Sequence, residues 1–203
     1  MKNQDRLTEE KIFNAATEVF EEKGLAGARM QNIADRAGIN KALLHYYYRT
    51  KDRLFEAVFT ALAKKIFTKF TPILDKNLSI EDKIRFFFRE HISFLQKNPR
   101  LPAFILNEIN HNPEMIRKLL NQIDIKDLWK TIIEQNRKEL KNYNITEENL
   151  PQLITSIVSL SVFPFAAKGI FEVVLNNMGH DFNQYIEERK EFAAEFVIRS
   201  IRK

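Results

Sequence analysis

The chain has 203 residues, of which 44% are hydrophobic and 29% charged, and its formal net charge is +5. A chain of this length and apolar content can bury a sizeable core. Because it has no cysteine, disulfide scaffolds, cysteine-ligated zinc sites and thiol nucleophiles are excluded. The 5 glycines and 6 prolines are too few for a turn-rich β-sandwich, so the composition favours helices.

A first helix is predicted from Thr8, whose side chain can cap it, to Gly24. Its apolar residues recur at helical spacing, namely Ile12, Ala15, Ala16, Val19 and Phe20. A second helix is predicted at about residues 30–37, and Gly38 is expected to supply the unusual backbone angles of a tight turn. A third, short helix follows at about residues 41–47.

Further helices are predicted along the rest of the chain. Residues that can cap or open them are Thr50, Ser79, Asn112, Pro113 and Asp181. The last two long helices are predicted at about residues 147–175, where Pro164 must kink or end the helix, and at about residues 182–202. No stretch alternates with the period of two that a strand requires. The predicted fold class is therefore all-α.

The second and third helices have the pattern of a helix-turn-helix, in which a short apolar helix and a glycine turn precede a helix led by polar and basic residues. In the third helix, Leu44 and Tyr48 share a face suited to packing inward. The opposite side carries Lys41, Ala42, His45 and Tyr46. Between residues 29 and 51, five basic residues face one acid, so the local charge is five minus one, or +4. The third helix is therefore predicted to enter the major groove of DNA.

Several side chains of this motif suit contacts with DNA. Lys41 can reach a phosphate or a guanine edge, and the small side chain of Ala42 permits close approach. Asn40 can cap the third helix and leave its first backbone N–H groups directed at a phosphate. Lys51, near the start of the fourth helix, is placed for a second phosphate contact.

The segment IADRAGINKALLHYYYRTKDRLFEAV, residues 33–58, resembles the signature of the TetR family of transcriptional repressors. The resemblance covers about residues 8–60. Its recognisable positions are Ile33, Ala34, Ala37, Gly38, Ile39, Lys41, Leu44, Tyr46, Tyr47, Tyr48, Lys51, Leu54 and Phe55. The positions that depart from the family pattern are Arg29, Ala42, Leu43 and His45. An altered base preference with retained DNA binding is therefore expected.

The resemblance implies a helix-turn-helix DNA-binding domain at residues 1–50 and a helical effector-binding and dimerisation domain at residues 51–203. It further implies a homodimer, formed through the last two long helices, that represses transcription from a palindromic operator until a small effector releases it. The residues expected to contact DNA are Arg29, Gln31, Asn40, Lys41, Ala42, Leu43, His45, Tyr46, Tyr47 and Lys51.

An effector pocket is predicted among the aromatic residues of the second domain, which suit an apolar or aromatic molecule. The candidate lining residues are Phe87, His91, Phe94, Phe104, Asn107, Trp129, Phe163 and Phe165. Core packing is the alternative role for each of these aromatic side chains and for His91. No cofactor and no metal is expected.

Two other classes of protein stay open. One is a helical metal-dependent enzyme, because Glu108 and His111 have the Glu-x-x-His spacing of a di-iron site, although the second pair that such a site requires is missing. The other is an adaptor that binds only protein. The N-terminus shows no apolar signal segment, and the weakly charged stretch at residues 153–167 is shorter than the ~20 residues of a membrane span. A cytoplasmic protein with no membrane partner is therefore expected.

Overall fold

The computed structural model describes residues 2–69, 71–75, 77–111, 113–114, 117, 130–131 and 133–203. Within these residues the regular secondary structure is helical and contains no β-strand, while an isolated antiparallel bridge joins Tyr143 to Arg202. The predicted all-α fold class is confirmed. The predicted helix start at Asn112 lies outside the described residues.

The helices are numbered in chain order. The first four are α1 (Lys2–Gly27), α2 (Met30–Ala37), α3 (Lys41–Tyr47) and α4 (Lys51–Lys69). A 3₁₀ helix at Thr71–Leu74 is followed by α5 (Ile80–Lys97) and α6 (Leu101–His111). The remaining helices are α7 (Arg137–Leu140), α8 (Leu150–Ala166), α9 (Lys168–Asn177) and α10 (Phe182–Ile201).

The chain divides into two compact units. The first consists of Met1–Phe67 and Phe104–Gln122, so it contains α1 to α3, nearly all of α4 and most of α6. The second consists of Thr68–Ala103 and Ile123–Lys203, and it contains α5 and α7 to α10. Each unit buries apolar side chains of its own.

Aromatic side chains from three helices meet in the core of the first unit. Phe20 of α1 packs edge to face against Phe55 of α4, with ring centroids 4.9 Å apart. Phe55 also contacts Phe59 of α4 and Phe104 of α6, each at 5.8 Å. Such ring pairs contribute about 0.5–1.5 kcal/mol beyond the burial of their area. This cluster therefore stabilises the arrangement of α1, α4 and α6.

Helix α1 begins earlier than predicted, at Lys2 and not at Thr8. Asp5 lies in its first turn, where the helix dipole favours a negative charge. The Asp5 carboxylate also accepts a hydrogen bond of 3.2 Å from the hydroxyl of Tyr47. These interactions stabilise a polar helical turn that lacks the apolar pattern on which the prediction relied.

A kink at Gly24 lies within the last turns of α1. Gly24 has φ 65° and ψ 176°, a conformation that favours glycine. Just after the kink, the N–H of Leu25 donates a 2.9 Å hydrogen bond to the Glu108 carboxylate of α6. A Cβ atom on residue 24 would lie 3.0 Å from that carboxylate. The backbone angles therefore favour glycine at this position, and the Glu108 carboxylate would have to shift to admit a larger residue.

In the second unit, α5 packs against α10 and α8. The buried residues of α5 include Ile84, Phe88, Ile92 and Leu95, and those of α10 include Ile186, Ala193, Ala194, Val197 and Ile198. Two ion pairs accompany this apolar contact, Arg85 with Glu195 and Glu81 with Arg202, each with a closest distance of 2.7 Å. Apolar burial and charge pairing thus hold α5 against the C-terminal helix.

Helix α8 begins at Leu150, later than predicted, and Thr146 and Asn149 bond each other in the turn ahead of it. Each side-chain oxygen accepts a hydrogen bond from the other residue's backbone N–H, at 3.2 and 2.9 Å. Pro164 lies inside α8, the helix ends two residues later at Ala166, and α9 continues from Lys168 at an angle of 79°. In the described part of the chain no single helix is long and apolar enough to cross a membrane, although α8 and α9 together reach that length and composition across their bend.

Replacing Leu44 with Ala is expected to lower the free energy of unfolding by about 2 to 5 kcal/mol, because Leu44 is fully buried and its truncation leaves a cavity. Tyr46→Ala on the same helix is the control, since Tyr46 is 80% exposed and its loss should cost less than about 0.5 kcal/mol. Chemical denaturation of both variants measures the difference. Equal destabilisation by the two substitutions would contradict this assignment of the two faces of α3.

Candidate nucleic-acid interface and effector cavity

A glycine and a capping asparagine determine where α3 begins. Gly38 has φ 67° and ψ 33° at the end of α2, and its N–H donates a 3.2 Å hydrogen bond to the Asp35 carbonyl oxygen. The side-chain oxygen of Asn40 then accepts a 2.7 Å hydrogen bond from the N–H of Leu43. The predicted turn at Gly38 and the predicted cap at Asn40 are both confirmed.

Helix α3 turns one side toward the core and the other toward solvent. Leu44 is fully buried. The four side chains predicted on the opposite side are all exposed, namely Lys41, Ala42, His45 and Tyr46. Tyr48, which was expected to share the inward face, is half-buried, as are Leu43 and Tyr47. The helix thus has the accessible polar face that DNA contact requires, while the contact itself stays a prediction.

The cations of this motif differ in their availability to an anionic partner. Among the described residues, Arg29, Lys41 and Arg49 have no ion-pair partner. Arg36, in contrast, donates hydrogen bonds of 2.8 and 3.0 Å to the two carboxylate oxygens of Glu22, and this contact raises the pKa of Arg36. Arg36 therefore joins α2 to α1, and the positive charge left for DNA is smaller than the sequence count indicates.

Two adjacent tyrosines of α3 have different surroundings. Tyr46 is 80% exposed, and its ring meets that of Tyr47 edge to face at 5.5 Å. The hydroxyl of Tyr47 donates to the Asp5 carboxylate, and burial together with this neighbouring charge raises the pKa of Tyr47. Tyr46 is therefore available to a partner, whereas Tyr47 also links α3 to the first turn of α1.

His45 and Gln31 make contacts within their own helical segments. Nδ1 of His45 lies 3.2 Å from the carbonyl oxygen of Arg49. Because a carbonyl can only accept, Nδ1 carries the proton in this contact. Gln31 donates a 2.7 Å hydrogen bond to Asp35 one turn later in α2. Its predicted contact with DNA would compete with this bond.

Lys51 has a structural contact that the sequence did not indicate. Its Nζ donates hydrogen bonds to the carbonyl oxygens of Ala28 at 3.0 Å and Ala26 at 3.4 Å. Carbonyl groups at the end of a helix need partners of this kind, and the ammonium has three hydrogens to offer. Lys51 thus holds the start of α4 to the end of α1. No local pattern marks this contact, because its partners lie far away in the sequence.

The residues predicted to line an effector pocket are divided between the two units. Phe104 and Asn107 belong to the first unit, whereas the other described members belong to the second. The buried members are Phe94, Phe104 and Phe165, and the exposed members are Asn107 and Phe163. Trp129 lies outside the described residues. The predicted set as a whole stays a prediction.

His91 is enclosed by neighbours in the second unit. Its Nδ1 lies 2.9 Å from the hydroxyl oxygen of Ser161, which is fully buried, and its ring centroid lies 4.9 Å from that of Phe87. Burial, with a smaller effect of Lys69, lowers the pKa of His91 to about 4. His91 is therefore neutral near neutral pH and has the surroundings of a core histidine.

A cavity of about 170 Å³ lies in the second unit. Aliphatic side chains from α5 and α8 form much of its wall, including Ile80, Ile84, Leu153 and Ile157. Phe87 belongs both to this wall and to the predicted pocket. Among the described lining residues, Lys83 alone carries a charge. The prediction relied on aromatic residues and so missed this cavity, whose aliphatic walls come from segments far apart in the sequence.

Glu108 and His111, the predicted Glu-x-x-His pair, make separate contacts in the structure. Glu108 is buried and accepts the hydrogen bond from Leu25, whereas His111 is exposed with its Nδ1 2.8 Å from the carbonyl oxygen of Asn107. In the described ranges, no group of three histidine or carboxylate side chains is arranged to hold a metal ion.

Comparison with known proteins agrees with the geometry of this helix-turn-helix. The model of the family described as "Bacterial regulatory proteins, tetR family" matches residues 12–58. A Bacillus subtilis (strain 168) relative named "Probable HTH-type transcriptional regulator YttP" is 24% identical over 192 residues, which cover 90% of each chain.

Solved structures show the same fold over nearly the whole chain. A TetR transcription regulator from Haloarcula marismortui has a TM-score of 0.66 at 23% identity, covering 98% of this chain and 100% of that one. A proposed fatty acid metabolism regulator of Clostridium perfringens has a TM-score of 0.70 at 18% identity, covering 94% and 98% respectively. Residues 12–58 thus match the helix-turn-helix segment of the TetR family, and the chain as a whole resembles regulators of that family in sequence and fold.

The depressed pKa of His91 predicts a specific dependence of stability on pH. The unfolded chain binds a proton at the ordinary pKa of 6.5, whereas the folded chain does so only at about 4. Stability from neutral His91 is therefore present above pH 6.5 and is lost as the pH falls from there toward 4. The loss is on the order of 2–3 kcal/mol, since each pKa unit corresponds to about 1.4 kcal/mol.

His91→Gln retains a polar side chain that does not titrate and is the matched comparison. Urea denaturation of both proteins across this pH range gives the free energies of unfolding. The original protein is expected to lose stability more steeply than His91→Gln on acidification. Parallel curves for the two proteins would show that His91 is not held neutral by burial.

Proposed function

We propose that this TetR-family regulator is a repressor that binds a palindromic operator through α3 as a homodimer and is released by a small effector bound in its second unit. It would act in the cytoplasm, where it meets the DNA. The proposal rests chiefly on the exposed polar face of α3, opposite the fully buried Leu44. The family assignment supports DNA binding as the use of that face.

Each accessible group on α3 suits a particular part of the duplex. The unpaired ammonium of Lys41 suits a phosphate or the acceptor edge of guanine. Ala42 is exposed and small, so it lets the helix approach the bases closely. The exposed hydroxyl of Tyr46 suits a phosphate oxygen. Arg29, at the start of α2, is exposed and extends the positive surface beyond α3.

A homodimer is proposed because the C-terminal helices expose large apolar side chains. The exposed apolar residues of α8, α9 and the segment up to α10 are Val158, Phe163, Ile170, Val173, Val174 and Met178, and those of α10 are Phe192 and Phe196. The rings of Phe192 and Phe196 stack with centroids 6.4 Å apart. Single chains rarely expose an apolar surface of this extent to water. A second copy of the chain would cover it and would supply a second recognition helix for the other half of a palindrome.

Release by an effector requires two conformations with different affinities for DNA. The effector must prefer the conformation that binds DNA weakly, because a ligand shifts an equilibrium only by its difference in affinity for the two states. Converting a ratio of 1:99 into 99:1 takes about 5.5 kcal/mol of such preference. The cavity of the second unit supports an effector site separate from α3.

Replacing Lys41 with Ala is expected to weaken operator binding by about 1 to 3 kcal/mol, because a charge-assisted contact is lost. The operator is first obtained by selection from a random DNA library or by mapping the bound sites in the genome. Fluorescence anisotropy across a salt series then gives Kd and its salt dependence. The slope of log K against log salt should become shallower by about one if Lys41 contacts a phosphate.

Lys97→Ala removes an exposed lysine of the second unit and provides the control for total charge. This variant should bind the operator as the original protein does. If Lys41→Ala and Lys97→Ala gave the same titration curves, Lys41 would have no role in DNA contact. DNA affinity that did not fall with salt would exclude the repressor and favour a protein-only adaptor.

Replacing both Phe192 and Phe196 with Glu is expected to convert a dimer into a monomer, because it buries charge at the proposed interface. Light scattering coupled to size exclusion measures the mass, and circular dichroism checks that the helices persist. Leu7→Glu changes an apolar side chain of similar exposure in the first unit and should leave the dimer intact. A folded double variant that stays dimeric would exclude this surface as the interface.

A further inference from the structure

One residue in the wall of the aliphatic cavity of the second unit is a buried lysine, Lys83. Lys83 is only 4% exposed, although lysine side chains normally keep their ammonium groups in water. Its Nζ is shielded from solvent and forms no hydrogen bond with any residue that the structure describes. Among the described lining residues, the others are aliphatic apart from Phe87. Lys83 therefore lines an apolar cavity through its methylene chain, and its ammonium, which lacks a direct partner, lies behind that surface within reach of a rotation of its flexible side chain.

The two carboxylates whose charges act on Lys83 already accept hydrogen bonds from backbone N–H groups. Burial lowers the pKa of Lys83, and the charges of Glu139 and Asp75 oppose that shift from a distance. One carboxylate oxygen of Glu139 accepts a 2.9 Å hydrogen bond from the N–H of Ile80. One carboxylate oxygen of Asp75 accepts a 2.9 Å hydrogen bond from the N–H of Asn77. Neither acid bonds Lys83 directly, so the ammonium retains its capacity to bind an anion.

We propose that this cavity binds a straight-chain fatty acid of medium length, with its tail against the aliphatic wall and its carboxylate paired with Lys83. The proposal names the class of effector and so rests on the proposed function of the second unit. An unpaired buried ammonium is costly, and a carboxylate brought to it supplies a charge-assisted hydrogen bond. The tail gains the free energy of leaving water.

The chemistry of the wall selects this class over others. A neutral alcohol of the same length would fill the apolar space but would leave the ammonium without an anion. An amine would place a second positive charge beside Lys83. A sugar or nucleotide would lose hydrogen bonds to water against aliphatic side chains that return none. The volume of about 170 Å³ is similar to the ~150 Å³ of engineered cavities that accept benzene, so the tail is of medium and not of great length.

Isothermal titration calorimetry on the full chain tests the proposal with octanoate, 1-octanol and octylamine as probes. Octanoate is expected to bind most tightly, 1-octanol more weakly and octylamine not measurably. Lys83→Met removes the charge and retains an unbranched apolar side chain. This variant should bind octanoate about tenfold to a hundredfold more weakly, the factor expected for one charge-assisted bond, and should bind 1-octanol unchanged.

Lys97→Met is the matched control, because Lys97 belongs to the same helix but is exposed. It should bind octanoate as the original protein does. Equal affinity of octanoate and 1-octanol, or an unchanged octanoate affinity in Lys83→Met, would overturn the pairing with Lys83. Absence of octanoate binding to the folded original protein would also overturn the proposal.

A thermal melt provides a second measurement, which also reports stability without any probe. Lys83→Met should melt at a higher temperature than the original protein without probe, because the buried unpaired charge is gone. At one octanoate concentration, the melting temperature should rise clearly less for Lys83→Met than for the original protein and for Lys97→Met. A decrease in the melting temperature of Lys83→Met without probe, together with retained octanoate binding, would assign Lys83 a purely structural role.

Operator binding is measured separately on the same preparations. If octanoate binds through Lys83 while no DNA is bound, the ligand inference stands and the repressor proposal fails. If operator DNA is bound but octanoate is not, the ligand inference fails and DNA recognition stands. The two failures are therefore distinguishable.

Discussion

The buried side chain of Leu44 is the contact on which the DNA-binding surface depends. Helix α3 extends only from Lys41 to Tyr47, and a helix of this length does not persist alone in water. Burial of Leu44 attaches it to the core of the first unit, and the Asn40 cap fixes its first turn. Because successive helical positions turn by about 100°, burying Leu44 places Ala42 and Tyr46 on the opposite side of α3, where both are exposed. Lys41 and His45 are exposed beside that face.

Much of this first unit could be predicted because its signals are local. The helical period separates Leu44 from Tyr46, Gly38 marks the turn through its backbone angles, and Asn40 precedes the helix as a capping residue does. The contacts that could not be predicted join distant segments. Lys51 bonds the carbonyl oxygen of Ala28, and Glu108 bonds the N–H of Leu25, with no pattern in either segment to indicate its partner. The division of the chain at residue 50 stays a prediction.

The second unit was less predictable because its site has the composition of an ordinary core. Aromatic richness directed the prediction to Phe163 and Phe165, whereas the cavity wall is mainly aliphatic. The sequence does not mark Lys83 as a pocket residue, because a lysine in an amphipathic helix normally lies at the solvent face. Only its burial, at 4% exposure, together with the cavity beside it, distinguishes it from other lysines of the chain. The candidate binding site is therefore identified by the burial of the Lys83 ammonium in an apolar environment.

The most direct test of the DNA-binding account is a structure of the dimer bound to its selected operator. In that structure α3 of each protomer is expected to lie in a major groove, with Lys41, His45 and Tyr46 within contact distance of DNA and Leu44 still buried. An α3 that lay away from the duplex, or DNA bound to another surface with these three side chains left in solvent, would exclude α3 as the recognition helix.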